Sequence, residues 1–199
     1  MPLDSYDFSQ LYAWVQDKFG VSWQIMYTQD EINVKIRPAL MFVGDNCGRA
    51  EEAIDFYTKV FKNSEIKSIS RYGQNFPPNK PEMLNFAEFI LEGQYFSIMD
   101  SAFEHLFSFN EAMSFIINCD NQEEIDYYWE KLSSDPEAEK CGWFKDKFGL
   151  SWQIVPRVMN DIMLKADPQA LERVTKAFLQ MKKFNVAELE RAYNGELRR

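Results

Sequence analysis

The chain has 199 residues, 46% of them apolar and 16% aromatic, enough to pack the core of one domain with additions or of two small ones. A net charge of -9 and a pI near 4.8 repel phosphate backbones and anionic lipid, so neither nucleic acid nor a membrane is an expected partner. No apolar run approaches the ~20 residues of a membrane helix. The first residues carry no secretory signal, and Cys47, Cys119 and Cys141 lack any CxxC or CxxH spacing, which reads as the reduced thiols of a cytoplasmic protein.

In chain order, the first feature is a segment that returns later. Trp14-Val-Gln-Asp17-Lys18-Phe19-Gly20-Val-Ser22-Trp23-Gln24-Ile25 is repeated 129 residues on as Trp143-Phe-Lys-Asp146-Lys147-Phe148-Gly149-Leu-Ser151-Trp152-Gln153-Ile154, with nine of twelve positions identical. A fixed period around two Trp residues means a repeated structural unit. Each copy predicts two strands around its Gly. The second copy ends a long, well-patterned segment, whereas the first has only about a dozen residues before it, so residues 1–31 read as the closing hairpin of a repeat that is otherwise missing. A lone hairpin is marginal in water, and this one is expected to add to its own sheet or to pair with another subunit.

Residues 32–43 are β-rich and run into the turn Gly44-Asp45-Asn46. Over 48–61, Ala50, Ala53, Tyr57 and Val60 recur at helical spacing, with Ile54 and Phe61 widening the stripe. Residues 65–72 read as a strand, the Pro-rich 74–81 as a loop, and 84–91 with 95–99 as a hairpin around Glu92-Gly93-Gln94. The Phe-rich 100–110 is irregular.

The pattern then restarts. Residues 112–119 read as a strand, and Asp120-Asn121 caps a helix whose stripe is Ile125, Tyr128, Trp129 and Leu132. Residues 133–140 are a polar connection, and 142–146 with 150–155 close the unit around Gly149. Glu52-Ala-Ile54-Asp55-Phe56-Tyr57 aligns with Glu123-Glu-Ile125-Asp126-Tyr127-Tyr128 at an offset of 71, four of six positions matching. The expected fold is therefore α+β, with tandem βαβββ modules over 32–157 forming a curved mixed sheet. Residues 158–199 add a helical tail: Asp167-Pro168 starts one helix, and Asn185 with Glu188 starts another that stops near Gly195.

Tandem βαβββ modules are the plan of the vicinal oxygen chelate superfamily, which includes glyoxalase I, extradiol dioxygenases and the bleomycin- and fosfomycin-resistance proteins. Ala50-Glu51-Glu52-Ala53-Ile54-Asp55-Phe56-Tyr57, Phe107-Ser-Phe109-Asn110-Glu-Ala112-Met-Ser114-Phe115, the segment from Cys119 to Trp129, and Cys141-Gly142-Trp143-Phe-Lys145-Asp146-Lys-Phe-Gly149-Leu-Ser-Trp152-Gln153-Ile-Val-Pro156 resemble the PhnB-like family, often labelled a 3-demethylubiquinone-9 3-methyltransferase domain. The tail segment from Met181 to Leu189 resembles it too. The methyltransferase label meets a physical objection. The only glycine-rich turn between a strand and a helix, Gly44-Asp-Asn-Cys-Gly48, lacks the GxGxG spacing and starts no series of βαβ crossovers.

The superfamily's enzymes hold a divalent ion through His and Glu side chains on four strands. By the resemblance, those positions here are Pro38, Ser97, Met113 and Gln153, to within about one residue at Pro38 and Met113. These residues do not make a transition-metal site, and the chain has one His in all. No metal and no cofactor is expected; a small-molecule ligand and a homodimer are. Strand parity puts Trp143 with Lys145, and Ser151 with Gln153, on shared faces of the closing hairpin. The candidate ligand-binding residues are Met99, His105, Phe107, Trp143, Lys145, Trp152 and Gln153. Each has a plainer reading: His105 is a general base at the cavity mouth or an exposed loop residue, the Trp residues are pocket walls or core, and Lys145 with Asp146 is a turn ion pair. Three readings of function stay open: a metal-free ligand-binding protein, a metal-dependent lyase or dioxygenase, and an antibiotic-sequestering or protein-interaction module.

Overall fold

A computed structural model describes residues 1–29 and 34–196. The domain boundary drawn at residue 32, and the start of the strand expected there, lie outside the described residues. The chain divides into two compact units, Met1–Arg37 and Pro38–Arg199.

The first unit is a three-stranded antiparallel sheet in the order β1 (Asp4–Tyr6), β2 (Ser9–Gln16), β3 (Ser22–Met26). The β2–β3 register pairs Trp14 with Gln24 and Val15 with Trp23. Gly20 sits in the connecting turn at φ +87°, a backbone region open to glycine because it has no Cβ. The short β1 gave no sequence signal.

In the second unit, β4 (Ala39–Phe42), α1 (Ala50–Val60), β5 (Ser64–Arg71), β6 (Leu84–Leu91) and β7 (Gln94–Asp100) form the first module. Its sheet has the order β4-β7-β6-β5, with β4 and β7 parallel and the other pairs antiparallel. The second module is β8 (Ser114–Cys119), α2 (Gln122–Leu132), β9 (Trp143–Lys145) and β10 (Ser151–Pro156), in the order β8-β10-β9. The fold is α+β with curved mixed sheets. The second module carries two strands after its helix where the first carries three; Ser133 to Lys140 contributes only an isolated bridge from Lys140 to Trp143.

Period-two alternation sends one face of each of these two sheets to a common core. Leu40, Phe42, Ala87, Phe89 and Ile98 of the first sheet join Ile117, Cys119, Phe144, Trp152 and Ile154 of the second around Ile54, Tyr57 and Val60 of α1 and Ile125 and Leu132 of α2. The β4 strand is shorter than the 32–43 run because Pro38, which has no N–H, stands before it.

The tail has three helices rather than the two expected: α3 (Arg157–Lys165), α4 (Pro168–Phe178) and α5 (Val186–Asn194). The sequence hides α3 because its N-cap is Pro156, with no side-chain cap bond. The other two carry the anticipated caps, Asp167 bonding the N–H groups of Gln169 and Ala170, and Asn185 that of Glu188. The tail has its own small core of Met159, Ile162, Val174, Met181, Phe184 and Leu189. It is tied to the start of β9 through Cys141 N–H to Met181 C=O and Gly142 N–H to Lys182 C=O, both 2.8 Å. Among the described residues no helix is long and apolar enough to cross a membrane.

Candidate functional site

Because one face of each sheet is spent on the core, a ligand-facing residue must lie on the other. On β7, alternation with Phe96 and Ile98 puts Ser97 and Met99 there, with Ser101 continuing the parity. On the second sheet it puts Ser114 and Ile116 of β8, Trp143 and Lys145 of β9, and Ser151, Gln153 and Val155 of β10 there. Gln153 Nε2 donates to Ser114 Oγ at 2.8 Å, and Lys145 pairs with Glu111 at 2.5 Å. Trp143 is half-buried opposite Gln153 in the β9–β10 register. Trp143, Lys145 and Gln153 therefore share one sheet face, and Ser114 joins them; no sequence signal marked Ser114.

Trp152 does not belong to this group. It is buried on the core side between Tyr57, Phe61 and Phe115, ring centroids 5.4–5.7 Å away, and its indole N–H is spent on Asp146. Its parity opposes that of Gln153, which is the physical reason it offers a ligand no surface. The expected Lys145–Asp146 ion pair is also replaced. Asp146 points into the core, where Oδ2 accepts from Tyr57 O–H at 2.7 Å and Trp152 Nε1 at 2.8 Å, and Oδ1 from the N–H groups of Phe148 and Leu150. Burial raises its carboxyl above the usual range against these four bonds, and burial together with the Asp146 charge pushes the Tyr57 phenol well up. The identity of Asp17 and Asp146 in the repeat was the one signal of this role.

Met99, His105 and Phe107 lie at the other module. Met99 is buried on the non-core face of β7. Ser101 Oγ and His105 Nε2 lie 2.7 Å apart, the donor depending on the imidazole tautomer, and the His105 ring lies tilted against the exposed Phe107, centroids 5.0 Å apart. The Ser–His pair has two parts of a nucleophilic site. Ser101, however, is buried, and no carboxylate is bonded to the other imidazole nitrogen among the described residues. Two of the thiols are poor nucleophiles: burial pushes Cys47 up, and Cys119 up to about 12.

The donor set does not suit a divalent metal. Ser97 lies opposite Ala39 in the β4–β7 register, and its N–H donates to Pro38 C=O at 2.9 Å. Met113 is exposed just before β8, and Gln153 is bonded to Ser114. The four positions offer neutral oxygens or none where imidazole or carboxylate is needed. Among the described residues no three His, Cys, Asp or Glu side chains gather as a metal site. Ser97 Oγ and Ser151 Oγ are buried without a partner, two hydroxyls on the non-core faces.

The turn before α1 is likewise not a phosphate loop. Gly48 N–H and Ala50 N–H, the groups an anion would use, donate to Asp100 Oδ1 at 2.7 and 3.2 Å, while Leu84 N–H takes Oδ2 at 3.0 Å. A carboxylate from β7 already caps this helix, and burial raises its carboxyl. There are two open clefts, the second of them at this same turn, lined by Gly48 and Asp100 among others. One of about 340 Å³ runs between α3 and α5, and one of about 290 Å³ lies beside Cys47, Lys80 and Glu82. Neither contains a residue expected from sequence.

A family model described as 3-demethylubiquinone-9 3-methyltransferase matches residues 34–155. Among solved structures, the PhnB protein of Bacillus cereus is 43% identical over 62% of this chain and 99% of its own, with a TM-score of 0.53. Protein PA1353 of Pseudomonas aeruginosa is 18% identical over 62% of this chain and 98% of its own (TM-score 0.49). The fosfomycin resistance protein FosX of Listeria monocytogenes is 16% identical over 62% and 91% (TM-score 0.38). No curated protein matches the chain.

Proposed function

The chain belongs to the PhnB-like family, described as 3-demethylubiquinone-9 3-methyltransferase, of the glyoxalase superfamily, and from that footing we propose that it binds a small organic molecule without a metal on the non-core face of its sheets. The observation that carries this reading is the group formed by Trp143, Gln153, Ser114 and Lys145: an aromatic wall, a neutral amide–hydroxyl pair and one cation on a half-buried face. Such a set suits a ligand with an apolar body and a few hydrogen-bonding groups. The edge strand β8 carries exposed Ile116 beside this group, with exposed Met113 just before it. A second copy covering that apolar edge would enclose this face and give a homodimer. The free thiols of Cys47, Cys119 and Cys141 suit a reducing compartment, and the reading places the protein in the cytoplasm.

Native mass spectrometry of protein purified without chelator tests all three parts. A dimer retaining an organic mass, lost in Gln153→Ala and Trp143→Ala variants that still fold, supports the proposal. One Zn, Mn, Ni or Fe per subunit overturns the metal-free reading. A protein that retains no organic mass, and takes up none when soaked with cell metabolites, overturns ligand binding.

A further inference from the structure

On the non-core face of the second sheet, the cross-strand register lines up three polar residues. Ser151 of β10 stands opposite Ser114 of β8 on one side and opposite Lys145 of β9 on the other. Residues opposite each other on neighbouring strands point to the same face, with the strands about 4.8 Å apart. The row therefore presents two hydroxyls and an ammonium side by side. The next row along holds Gln153 between Ile116 and Trp143. Gln153 Nε2 donates to Ser114 Oγ at 2.8 Å, which leaves the Ser114 O–H proton to donate elsewhere. Ser151, at the centre of its row, is 1% exposed, and its Oγ has no hydrogen-bond partner among the described residues. A buried hydroxyl without a partner costs stability, and a bound acceptor would remove that cost.

One acceptor already stands at the end of this row. Lys145 pairs with Glu111, and its ammonium holds the Glu111 carboxyl below the usual carboxylate range. The two partners differ in their surroundings. The Lys145 side chain is 25% exposed and belongs to a strand, whereas that of Glu111 is 65% exposed and comes from the irregular segment before β8. A pair with one partner so exposed holds weakly, so a carboxylate from solution can take the place of Glu111. Ser97, the other buried hydroxyl without a partner, gives the contrast. Its row sets it between Ala39 and Glu88, whose carboxylate would repel an anion.

We propose that, on the ligand-binding reading of this face, the bound molecule carries a carboxylate. One of its oxygens replaces the Glu111 carboxylate on Lys145 Nζ, and the other accepts from the Ser151 O–H, with the Ser114 O–H beside it. Its apolar body lies along the next row, against Trp143 and Ile116. Glu111 is the carboxylate that keeps the cation paired between ligands.

The test titrates the full chain with phenylacetate, phenylphosphonate and the neutral phenylacetamide by isothermal calorimetry. Phenylacetate is expected to bind about tenfold or more tightly than phenylacetamide. Lys145→Met should remove that preference. Glu111→Gln should tighten phenylacetate by about threefold and leave phenylacetamide unchanged, because the competing carboxylate is gone. Ser151→Ala should weaken phenylacetate by about fivefold, yet leave the urea midpoint of the unliganded protein unchanged or raised, because it removes a hydroxyl that has no partner. A serine with a structural role alone would lower that midpoint and leave the binding preference intact. Equal binding of carboxylate and amide, a preference that survives Lys145→Met, or no tightening in Glu111→Gln each overturns the carboxylate assignment while ligand binding itself stands. Phenylphosphonate binding in place of phenylacetate overturns it in favour of a different oxyanion. Binding of none of the three overturns it too, and the organic mass retained in native mass spectrometry then decides ligand binding separately.

Discussion

At the scale of single residues, Asp146 shows how one carboxylate can organise a core. Its two oxygens collect four donors from three segments. In Asp146→Asn, Oδ1 can keep the two amides, but the new NH2 group faces Tyr57 and Trp152. The phenol can turn to accept; the indole N–H cannot and is left buried and unpaired. We expect a loss of about 1–3 kcal/mol in urea unfolding, and no comparable shift of the urea midpoint for Asp17→Asn on the exposed copy. The acid–base behaviour divides by surroundings. Burial raises the folded-state values of Asp146 and Asp100 above the ordinary carboxylate value, so each holds its proton to higher pH in the fold than in the unfolded chain. Their contribution is full below the unfolded value of 3.8 and is lost as pH rises through the folded one. Glu52 runs the other way. Hydrogen bonds from Arg49 and Lys147 hold it down to about 2, so its contribution is present above 4.5 and lost as pH falls towards 2. Its side chain is nearly half exposed, so the effect is below about 1 kcal/mol. Urea midpoints measured from pH 5 to pH 2 should fall less steeply for Glu52→Gln than for the wild type.

At the scale of elements, Gly142 is where the tail meets the second sheet. It has φ +83°, and a Cβ there would lie 2.6 Å from both the Ile154 carbonyl oxygen and the Phe184 ring. Gly142→Ala must move backbone or ring as well as adopt a left-handed conformation. The expected cost is at least about 2 kcal/mol, read as a lower melting temperature with earlier proteolysis after Pro156. Element by element, legibility followed periodicity. The α1 and α2 stripes, the β6–β7 hairpin and both Gly-centred turns were readable because apolar spacing and glycine are local signals. The α3 helix was not, because Pro156 provides no side-chain cap, and β1 was not, because three residues carry no period. Trp152 was left open between pocket wall and core because residue type does not decide burial; its pairing with Phe144 inside the core does.

At the scale of the molecule, the second unit is held by one aromatic-rich cluster to which both modules contribute, with the rings of Phe42, Phe56 and Tyr57 each against Phe148. Phe148→Ala removes a fully enclosed ring at the junction of both modules and should cost about 3–5 kcal/mol by denaturant unfolding. The core occupies one face of both sheets of the second unit, so the candidate site is confined to their other faces. Of the residues expected there, Trp143, Lys145 and Gln153 gather on one sheet, while Met99, His105 and Phe107 belong to the first module and the segment after it.

The repeated segment separates what is local from what is not. Sequence alone determined the two modules, the strand alternation, the helix stripes and the Asp-centred turn, because each depends on residues within about a dozen positions of one another. Tertiary structure decided which copy of that turn is core and which is surface. Nine of twelve residues are identical and the local hydrogen bonds are the same, yet Asp146 meets a phenol 89 residues away in sequence and its hairpin has a parallel strand against it, neither of which the first copy has within its own unit among the described residues. Burial is a property of neighbours, and neighbours brought together across such a distance leave no mark in the segment they cover.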